Sequence, residues 1–219
     1  MMNFSLFLDI ILSIPKSLYF NFYNFPLRDA LHFPVLVSWK TKLGDISGEI
    51  ILPEIICFGL VKFGFSGSFN MGGGSYFQNK GKIIFKGKST FSRGTQLIVG
   101  ENGSLKIGVN FRCNTDCIFN AGNYIEIGDD CLLSWNIMIL DGDGHDIYTQ
   151  DCIHNTSKKT IKIGTHVWIC ANSMILKGTS IQDNSVIGAG SIVSKRISEN
   201  NVLIAGNNFI VKKNINWND

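Results

Sequence analysis

One polar stretch of the sequence holds the residue types that acid–base chemistry needs. It opens with Asp141, Asp143 and His145 in the order Asp-Gly-Asp-Gly-His, and it ends near Thr160. Histidine is the side chain best suited to exchange a proton near pH 7, and a neighbouring carboxylate can hold its ring and fix its tautomer. The stretch therefore predicts a site in which His145 moves a proton and Asp143 orients it.

The chain on both sides of this stretch repeats with a period of six residues. From Ile163 onward, six consecutive hexads begin with Ile or Val, and the fifth residue of most of them is small. A second run of hexads starts at Ile107, with two extra residues after its third hexad, and fainter hexads start at Phe85. The period fails only over residues 141–160, and a long excursion from a regular repeat usually carries function.

The period of six indicates a triangular coil. A helix would scatter the leading residues around its axis, and an ordinary sheet would not require a small fifth residue. In a triangular coil, each hexad supplies one short strand and one corner, and three hexads close a turn of about 18 residues. Stacked coils then pair as parallel strands. The hexads therefore predict an all-β parallel β-helix, with the excursion as a protruding loop.

Composition agrees with this fold and argues against other classes. The chain has 219 residues with 30 Ile, 21 Asn and 23 Gly, types that favour strands and tight turns. A formal net charge of +3 gives no indication of nucleic-acid binding. The six cysteines form no Cys-x-x-Cys pair, and Cys113, Cys117 and Cys131 fall on inward positions of the hexads. We therefore expect free buried thiols and no metal site.

The N-terminal segment differs from the repeat. Residues 4–14 are apolar but too short to span a bilayer, and Leu6, Ile10 and Ile14 share one helical face. We expect a short helix docked on the main fold; the alternative is a peripheral contact with the inner membrane surface. The predicted organisation is a helix and aromatic cap over residues 1–45, a catalytic β-helix domain over 46–206, and a basic C-terminal tail over 207–219.

These motifs resemble those of the left-handed β-helix, or hexapeptide-repeat, acyltransferases. The resemblance rests on the hexads between residues 85 and 213, on Asp-x-Asp-x-His at 141–145, on Ile-Gly-Thr-His-Val-Trp-Ile-Cys at 163–170 and on Ile-Gly-Ala-Gly-Ser at 187–191. The Asp-x-Asp-x-His form is similar to that of members that O-acetylate sugars. The resemblance implies a left-handed parallel β-helix with a short N-terminal helix or cap and a protruding loop.

The resemblance also implies roles for particular residues. His145, supported by Asp143, would be the general base that lets a sugar hydroxyl attack acetyl-CoA directly, with no metal. A backbone N–H of Cys170 or Ala171 would stabilise the oxyanion. Asn114 would lie near His145, because their separation along the sequence is close to two coils. The acceptor would contact Asn114, Asp141 and Trp135. The cofactor would contact Trp168, Cys170, Ala171, Lys177, Ala189, Ser194, Lys195, Lys212 and Lys213.

The implied function is acetyl-CoA-dependent O-acetylation of a sugar hydroxyl in a surface polysaccharide or its precursor. Two alternatives stay open, namely N-acetylation of an amino sugar and a non-catalytic β-helix scaffold. The resemblance further implies a cytoplasmic homotrimer with clefts between subunits, lined by outward residues such as Trp135 and Trp168. A saccharide acceptor is the expected partner, and no nucleic acid is expected.

Overall fold

The chain winds into a stack of coils built from short strands. The computed structural model describes residues 4–65, 73–145, 147–148, 153–154 and 159–218. Two helices, α1 (Phe4–Asn24) and α2 (Leu27–Ala30), precede the strands. Most strands form three sheets, named face A, face B and face C, in which strands of successive coils pair in parallel; the exceptions are a separate pair of strands within the excursion and the last strand of the chain. The coils therefore enclose a prism with three sides.

Each of the first six coils supplies one strand to face A, one to face B and one to face C, in that order. Coil 1 holds β1 (Val35–Val37), β2 (Lys42–Leu43) and β3 (Glu49–Ile51), and coil 2 holds β4 (Val61–Phe65), β5 (Tyr76–Asn79) and β6 (Lys82–Phe85). Coil 3 holds β7 (Ser89–Ser92), β8 (Gln96–Val99) and β9 (Ser104–Ile107), and coil 4 holds β10 (Phe111–Cys113), β11 (Ile118–Ala121) and β12 (Tyr124–Ile127).

The excursion interrupts the next coil. Coil 5 holds β13 (Leu132–Leu133) and β14 (Met138–Leu140), then the antiparallel pair β15 (Ile147–Tyr148) and β16 (Ile153–His154) outside the faces, and then β17 (Ile161–Ile163). Coil 6 holds β18 (Trp168–Ile169), β19 (Met174–Leu176) and β20 (Ser180–Ile181). Coil 7 holds β21 (Val186–Ile187) and β22 (Ile192–Val193), and β23 (Val202–Ala205) and β24 (Phe209–Lys213) finish face A.

The interior of the prism confirms the inward positions predicted from the hexads. The leading residues from Ile163 onward are at most 2% exposed, and the fifth residues of the same hexads are also buried. The leading residues are Ile163, Ile169, Ile175, Ile181, Ile187 and Val193, and the fifth residues are Val167, Ser173, Thr179, Ser185, Ser191 and Ile197. Stacking repeats this set along the axis at the strand spacing of about 4.8 Å, which gives a continuous core.

Coil length varies along the stack. Trp168 pairs with Val186, and the chain between them makes three hexads, as predicted. Arg112 pairs with Leu132 after a longer stretch of chain, because face C of that coil carries a longer strand. The coils also begin earlier than predicted, at Val35, so β1 and β2 lie within the segment that we assigned to the cap.

Three cysteines belong to the core. Cys113, Cys117 and Cys131 are buried free thiols, as predicted from their hexad positions. Burial raises the pKa of the Cys113 thiol well above its ordinary value, and burial raises the pKa of Cys131 to about 12. Both thiols are therefore neutral packing groups at physiological pH. Within the part of the chain that the structure describes, no three His, Cys, Asp or Glu side chains gather as a metal site.

Two of the three corners need residues that tolerate positive φ. The A–B corner joins face A to face B, and its column of positive φ comprises Gly94, Asp116, Asn136, Asn172, Gly190 and Gly206. The C–A corner has Asn110, Asp130, His166, Asn184 and Asn201 in the same role. Asn and Asp enter this region more readily than other side chains, which explains the Asn-rich composition. The third corner, the B–C corner, carries the excursion.

Helix α1 covers the open edge of coil 1. The Asn21 side chain donates to the Val35 carbonyl at 2.6 Å and accepts from the Val35 N–H at 3.1 Å. Ser17 likewise donates to the Val37 carbonyl at 3.3 Å and accepts from its N–H at 3.0 Å. An uncovered edge strand would leave these backbone groups open to pairing with another chain.

The helix is longer than the sequence predicted. We expected it to end before Pro15, but it continues to Asn24 because Ser17, Phe20 and Asn21 pack on coil 1. Tertiary contacts thus outweigh the unfavourable proline. Neither described helix has the length and apolar character needed to cross a membrane.

The C-terminal segment closes the other end of the stack. Strand β24 pairs antiparallel with β23, so the predicted basic tail is partly a strand. Trp217 then returns to coil 6, where its ring stacks on His166 with centroids 4.1 Å apart. The Trp217 indole N–H donates to the His166 carbonyl at 3.0 Å. The tail is therefore held against the C–A corner.

Candidate active site

The base of the excursion is fixed by Asp141. This side chain is 1% exposed, and its two carboxylate oxygens accept the backbone N–H groups of Gly122 and Asn123, at 2.7 and 2.8 Å. The Asp141 carbonyl accepts the N–H of Lys159 at 2.9 Å, where the chain rejoins the coil. Charged hydrogen bonds of this kind are strong when buried. Asp141 therefore ties coil 5 to coil 4 and closes the loop.

Asp143 and His145 lie on the exposed part of the loop. Asp143 forms an ion pair with Lys177, which sits on the B–C corner of coil 6. Gly144 has a φ of +82°, so the chain turns between the two residues in a conformation that suits glycine. The His145 side chain is exposed, so a solute can reach it. The ion pair holds the start of the loop beside the next coil. The sequence analysis had assigned Lys177 to the cofactor and did not predict this pairing.

A second group of predicted site residues stacks along the A–B corner. Cys170 occupies the same position as Asn114 two coils further on. The Asn114 N–H donates to the Leu133 carbonyl of the next coil, and the Cys170 N–H donates to the Ile187 carbonyl, both at 2.9 Å. Trp135, Ala171 and Ala189 form the adjacent column, and Asn172 and Gly190 donate to the carbonyls of Trp135 and Ala171. Burial raises the pKa of the Cys170 thiol, which leaves it neutral near pH 7.

These two groups lie on different corners of the prism. Face B separates them, and at about 3.3 Å per residue the six steps from Ala171 to Lys177 span up to about 20 Å. We had expected Asn114 to lie near His145. The structure instead places the two residues on different corners. The residue one coil after Asn114 is Ser134, and the chain must cross face B to reach the loop at Asp141. One chain alone does not assemble the whole predicted site.

The predicted phosphate-binding residues also divide between two places. Ser194 and Lys195 lie on the B–C corner of coil 7, and the Ser194 N–H donates to the Asn208 side chain at 2.7 Å. Lys212 and Lys213 lie on β24, and Lys213 pairs with Glu199 at 2.7 Å. Lys177, Ser194 and Lys195 thus share one corner, whereas Lys212 and Lys213 belong to face A.

An aromatic cluster on face A was missed by the sequence analysis. Trp168 points outward as predicted, and its indole N–H donates to Ser134 Oγ at 3.2 Å. The Trp217 ring covers it at 5.9 Å between centroids and stacks on His166 on its other side. No local pattern around Trp217 signals this contact, because its partners lie far earlier in the sequence.

Comparison with known proteins agrees with the repeat. Residues 160–195 match the family described as bacterial transferase hexapeptide (six repeats). Galactoside O-acetyltransferase of Escherichia coli K12 is 37% identical over 122 residues, which cover 53% of this chain and 57% of that protein. Polysialic acid O-acetyltransferase of Escherichia coli O1:K1 / APEC is 29% identical over 139 residues, which cover 60% of this chain and 41% of that protein. The chain thus spans about half the length of these curated relatives.

One solved structure aligns over most of the chain. Galactoside acetyltransferase in complex with coenzyme A aligns with 97% of this chain and 84% of its own, at 20% identity and a TM-score of 0.46. The family match falls on β17 to β22, where the hexads are most regular. The structure confirms the predicted all-β parallel β-helix with an N-terminal helix and a protruding loop. In its repeat and in its relatives, the chain resembles the hexapeptide-repeat acyltransferases, among them galactoside and polysialic acid O-acetyltransferases.

Proposed function

We propose that the protein transfers an acetyl group from acetyl-CoA to a hydroxyl of a sugar in a surface polysaccharide or its precursor. The observation that carries this proposal is the exposed His145 beside the Asp143–Lys177 pair, on a loop that leaves a hexapeptide-repeat β-helix. The named activities of two curated relatives, both saccharide O-acetyltransferases, support the same reaction type.

His145 acts as the general base in this proposal. Its neutral imidazole accepts the proton of the acceptor hydroxyl while the hydroxyl oxygen bonds to the thioester carbonyl carbon. The carbon–sulfur bond then breaks, and the departing thiolate takes the proton from the imidazolium. Asp143 is paired with Lys177 through Oδ2, and we assign its Oδ1 to the ring of His145.

Of the two backbone N–H groups expected to stabilise the oxyanion, we retain one. The N–H of Cys170 already donates to the Ile187 carbonyl at 2.9 Å, so the coil ladder uses it. We therefore assign the role to the N–H of Ala171, the other group expected from the sequence. A backbone donor that is fixed before the reaction stabilises developing negative charge without reorganisation.

We further propose that the site forms between copies in a homotrimer. Face B separates the loop from the A–B corner within one chain, and its outward side chains are largely apolar. In coils 4 to 7 the apolar ones are Ile118, Met138, Leu140, Met174, Leu176 and Ile192, and Asn120 is the polar exception on these strands. Burial of such a face against another copy would bring the loop of one chain to the A–B corner of the next.

The remaining predicted residues then take roles in that shared cleft. Asn114 and Trp135 contact the acceptor, and Trp168, Cys170, Ala171 and Ala189 line the path of the donor. Ser194 and the ammonium groups of Lys195, Lys212 and Lys213 contact the donor phosphates. Asp141 is left out, because its buried carboxylate is bonded to backbone N–H groups. The proposed location is the cytoplasm, where acetyl-CoA is available.

Calorimetry and turnover together test the catalytic proposal. Wild type and His145→Ala should both bind acetyl-CoA in the micromolar range, since the base serves chemistry rather than donor affinity. Acetylation of sugars in an acceptor screen should fall by about 100-fold or more in His145→Ala. His32→Ala is the matched control, because His32 is exposed at the opposite end of the chain. A folded wild type that binds no acetyl-CoA would favour the scaffold alternative.

Mixed assemblies test the shared site. His145→Ala removes the base, and Ala189→Trp fills the exposed A–B corner without changing the core. Each variant should be inactive alone. If the site forms between copies, refolding an equal mixture should restore activity in about a quarter of the sites, since each needs one intact loop and one intact corner. If activity stays at the level of the separate variants, the site belongs to one chain.

A further inference from the structure

Helix α1 is amphipathic in the reverse of the usual sense. Ser13, Ser17 and Asn21 recur every four residues, face coil 1 and are buried. The opposite side is exposed and consists of Leu8, Ile11, Leu12, Pro15, Leu18, Tyr19, Phe22 and Tyr23. This set, which we name the apolar stripe, contains no charged side chain. A surface helix normally turns its polar side to water, and an exposed apolar area of this extent marks an interaction site.

The apolar stripe faces away from the coils along the axis of the stack. Ser17 and Asn21 bond to the edge of β1 that has no strand beyond it, and strands of neighbouring coils bond along that axis. The opposite side of the helix therefore forms the end surface of the molecule. Leu27 and Leu31, in and after α2, extend this surface with side chains that are 64% and 60% exposed.

Positive charge lies around the apolar stripe. A groove of about 920 Å³ runs along α1 between Ile10 and Ile14 on the helix and Phe58 on the coil side, and Lys62 and Lys88 stand in its wall. Both lysines are exposed, and Arg28 on α2 is 92% exposed. Asp29 is within 3.9 Å of Arg28, and exposed Glu54 lines the same recess as Arg28, so these two carboxylates offset part of that charge. The end of the molecule thus combines an uncharged apolar centre with cations at its margin.

We propose that this end is a docking surface for an anionic lipid bilayer. The apolar stripe enters the boundary between headgroups and acyl chains, with the axis of α1 in the membrane plane, and Arg28, Lys62 and Lys88 contact lipid phosphates. An amphipathic helix that lies in this boundary, with cations around it, is the arrangement of peripheral membrane proteins. Tyr19 and Tyr23 add rings with a polar end, which prefer the membrane interface.

Charge favours a lipid surface over a second copy as the occupant. A second copy placed stripe to stripe would bring the two Arg28 groups near each other, and its uncharged stripe would offer no carboxylate to Lys62 on coil 2 or to Lys88 before β7. Anionic headgroups instead neutralise them, at about 1 kcal/mol of attraction for each basic residue near such a surface. The proposal does not rest on the acyl-transfer reaction, although docking would hold the loop near acceptors attached to a membrane.

Flotation with lipid vesicles tests the proposal on the full chain. The test variant is Leu12→Ser with Phe22→Ser, because both side chains belong to the apolar stripe and are exposed. The control is Phe209→Ser with Val211→Ser, an exposed apolar pair on β24 at the other end of the stack. Wild type and control should float with phosphatidylglycerol vesicles, and the test variant should partition at least tenfold more weakly. Lys62→Glu with Lys88→Glu should weaken binding to anionic vesicles by a similar factor.

Other results would overturn the proposal. Absence of flotation by folded wild type would do so, and so would an equal loss in the control pair or equal binding to phosphatidylcholine vesicles. If the test variant instead changes the mass measured by light scattering while wild type ignores vesicles, the apolar stripe is a contact between copies. Acetyl-CoA binding measured on the same samples keeps this outcome separate from failure of the proposed reaction.

Discussion

Three acidic and basic side chains near one turn have different tasks in this protein. Asp141 is buried and bonds to backbone N–H groups of coil 4, whereas Asp143 pairs with Lys177 on coil 6. His145, at the far end of the motif, is exposed, so a solute can reach its ring. The motif thus combines an anchor, a brace and the residue that we propose as the base in one short run of chain. The sequence predicts His145 as a base from its chemistry, and this stays a prediction; it did not distinguish the buried anchor Asp141 from a substrate ligand.

Substitution of Asp141 should separate its structural role from catalysis. Asp141→Ala leaves two buried N–H groups without an acceptor, so the free energy of unfolding should fall by about 2–4 kcal/mol. Asp141→Asn keeps one acceptor and should lose about half as much. Urea denaturation at pH 7 measures both. As a control, Asp143→Ala removes a partly exposed ion pair and should change stability by about 0.5 kcal/mol or less while lowering turnover. Equal losses for Asp141→Ala and Asp143→Ala would contradict this assignment.

At the scale of strands and corners, the sequence predicted the later coils far better than the first ones. From Ile163 onward, every inward position is marked by Ile, Val or a small residue, so the period can be read directly. In the early coils the inward positions include Phe63 and Phe77, and each coil is longer than three hexads, which hides the period. The prediction that Asn114 lies near His145 was wrong for a related reason. The number of residues between them indicates how many coils apart they are, but not which corner of the prism each one occupies.

The positive-φ columns make a sharp prediction at this scale. Asn172 has a φ of +60° at the A–B corner, so Asn172→Val should cost about 1–2 kcal/mol of stability, whereas Asn172→Gly should be nearly neutral. Asn120 is an exposed residue of β11 with ordinary strand geometry and serves as the control. There the order should reverse, with Val tolerated and Gly destabilising by about 0.5–1 kcal/mol. Chemical denaturation of the four variants measures their free energies of unfolding. If Val and Gly rank in the same order at both positions, the prediction is wrong.

The molecule as a whole is a stack whose two ends are closed by different elements. Helix α1 covers coil 1 with its Ser and Asn side chains, and β24 lies antiparallel along β23 at the other end. Each coil contacts mainly its neighbours, so stability in such a stack is close to a sum of local terms. The sequence predicted a docked N-terminal helix, but it could not predict the contacts of that helix with β1 or the antiparallel strand at the other end, because these join segments that share no pattern.

Loss of Trp217 should therefore act locally. Trp217→Ala removes the ring that is stacked on His166 and covers Trp168, so hydrogen exchange should accelerate in β23, β24 and coil 6. Coils 1 to 4 should keep their protection, since stability is local in such a stack. Hydrogen exchange read by mass spectrometry checks this pattern. Trp39→Ala, at the opposite end, should give the mirror-image result, and uniform loss of protection in either variant would argue against local closure.

The closed base of the excursion has a consequence for how such proteins diversify. Because Asp141 accepts the Lys159 N–H, the chain leaves and re-enters the coil at one point, and the stack on either side is already complete. The cost of closing a loop grows only slowly with its length. Segments between these two residues are therefore open to exchange, lengthening or shortening at little cost to the scaffold. Selection can thus place a new loop on this β-helix, and with it a change in the acceptor that we propose for the site, without redesigning the core.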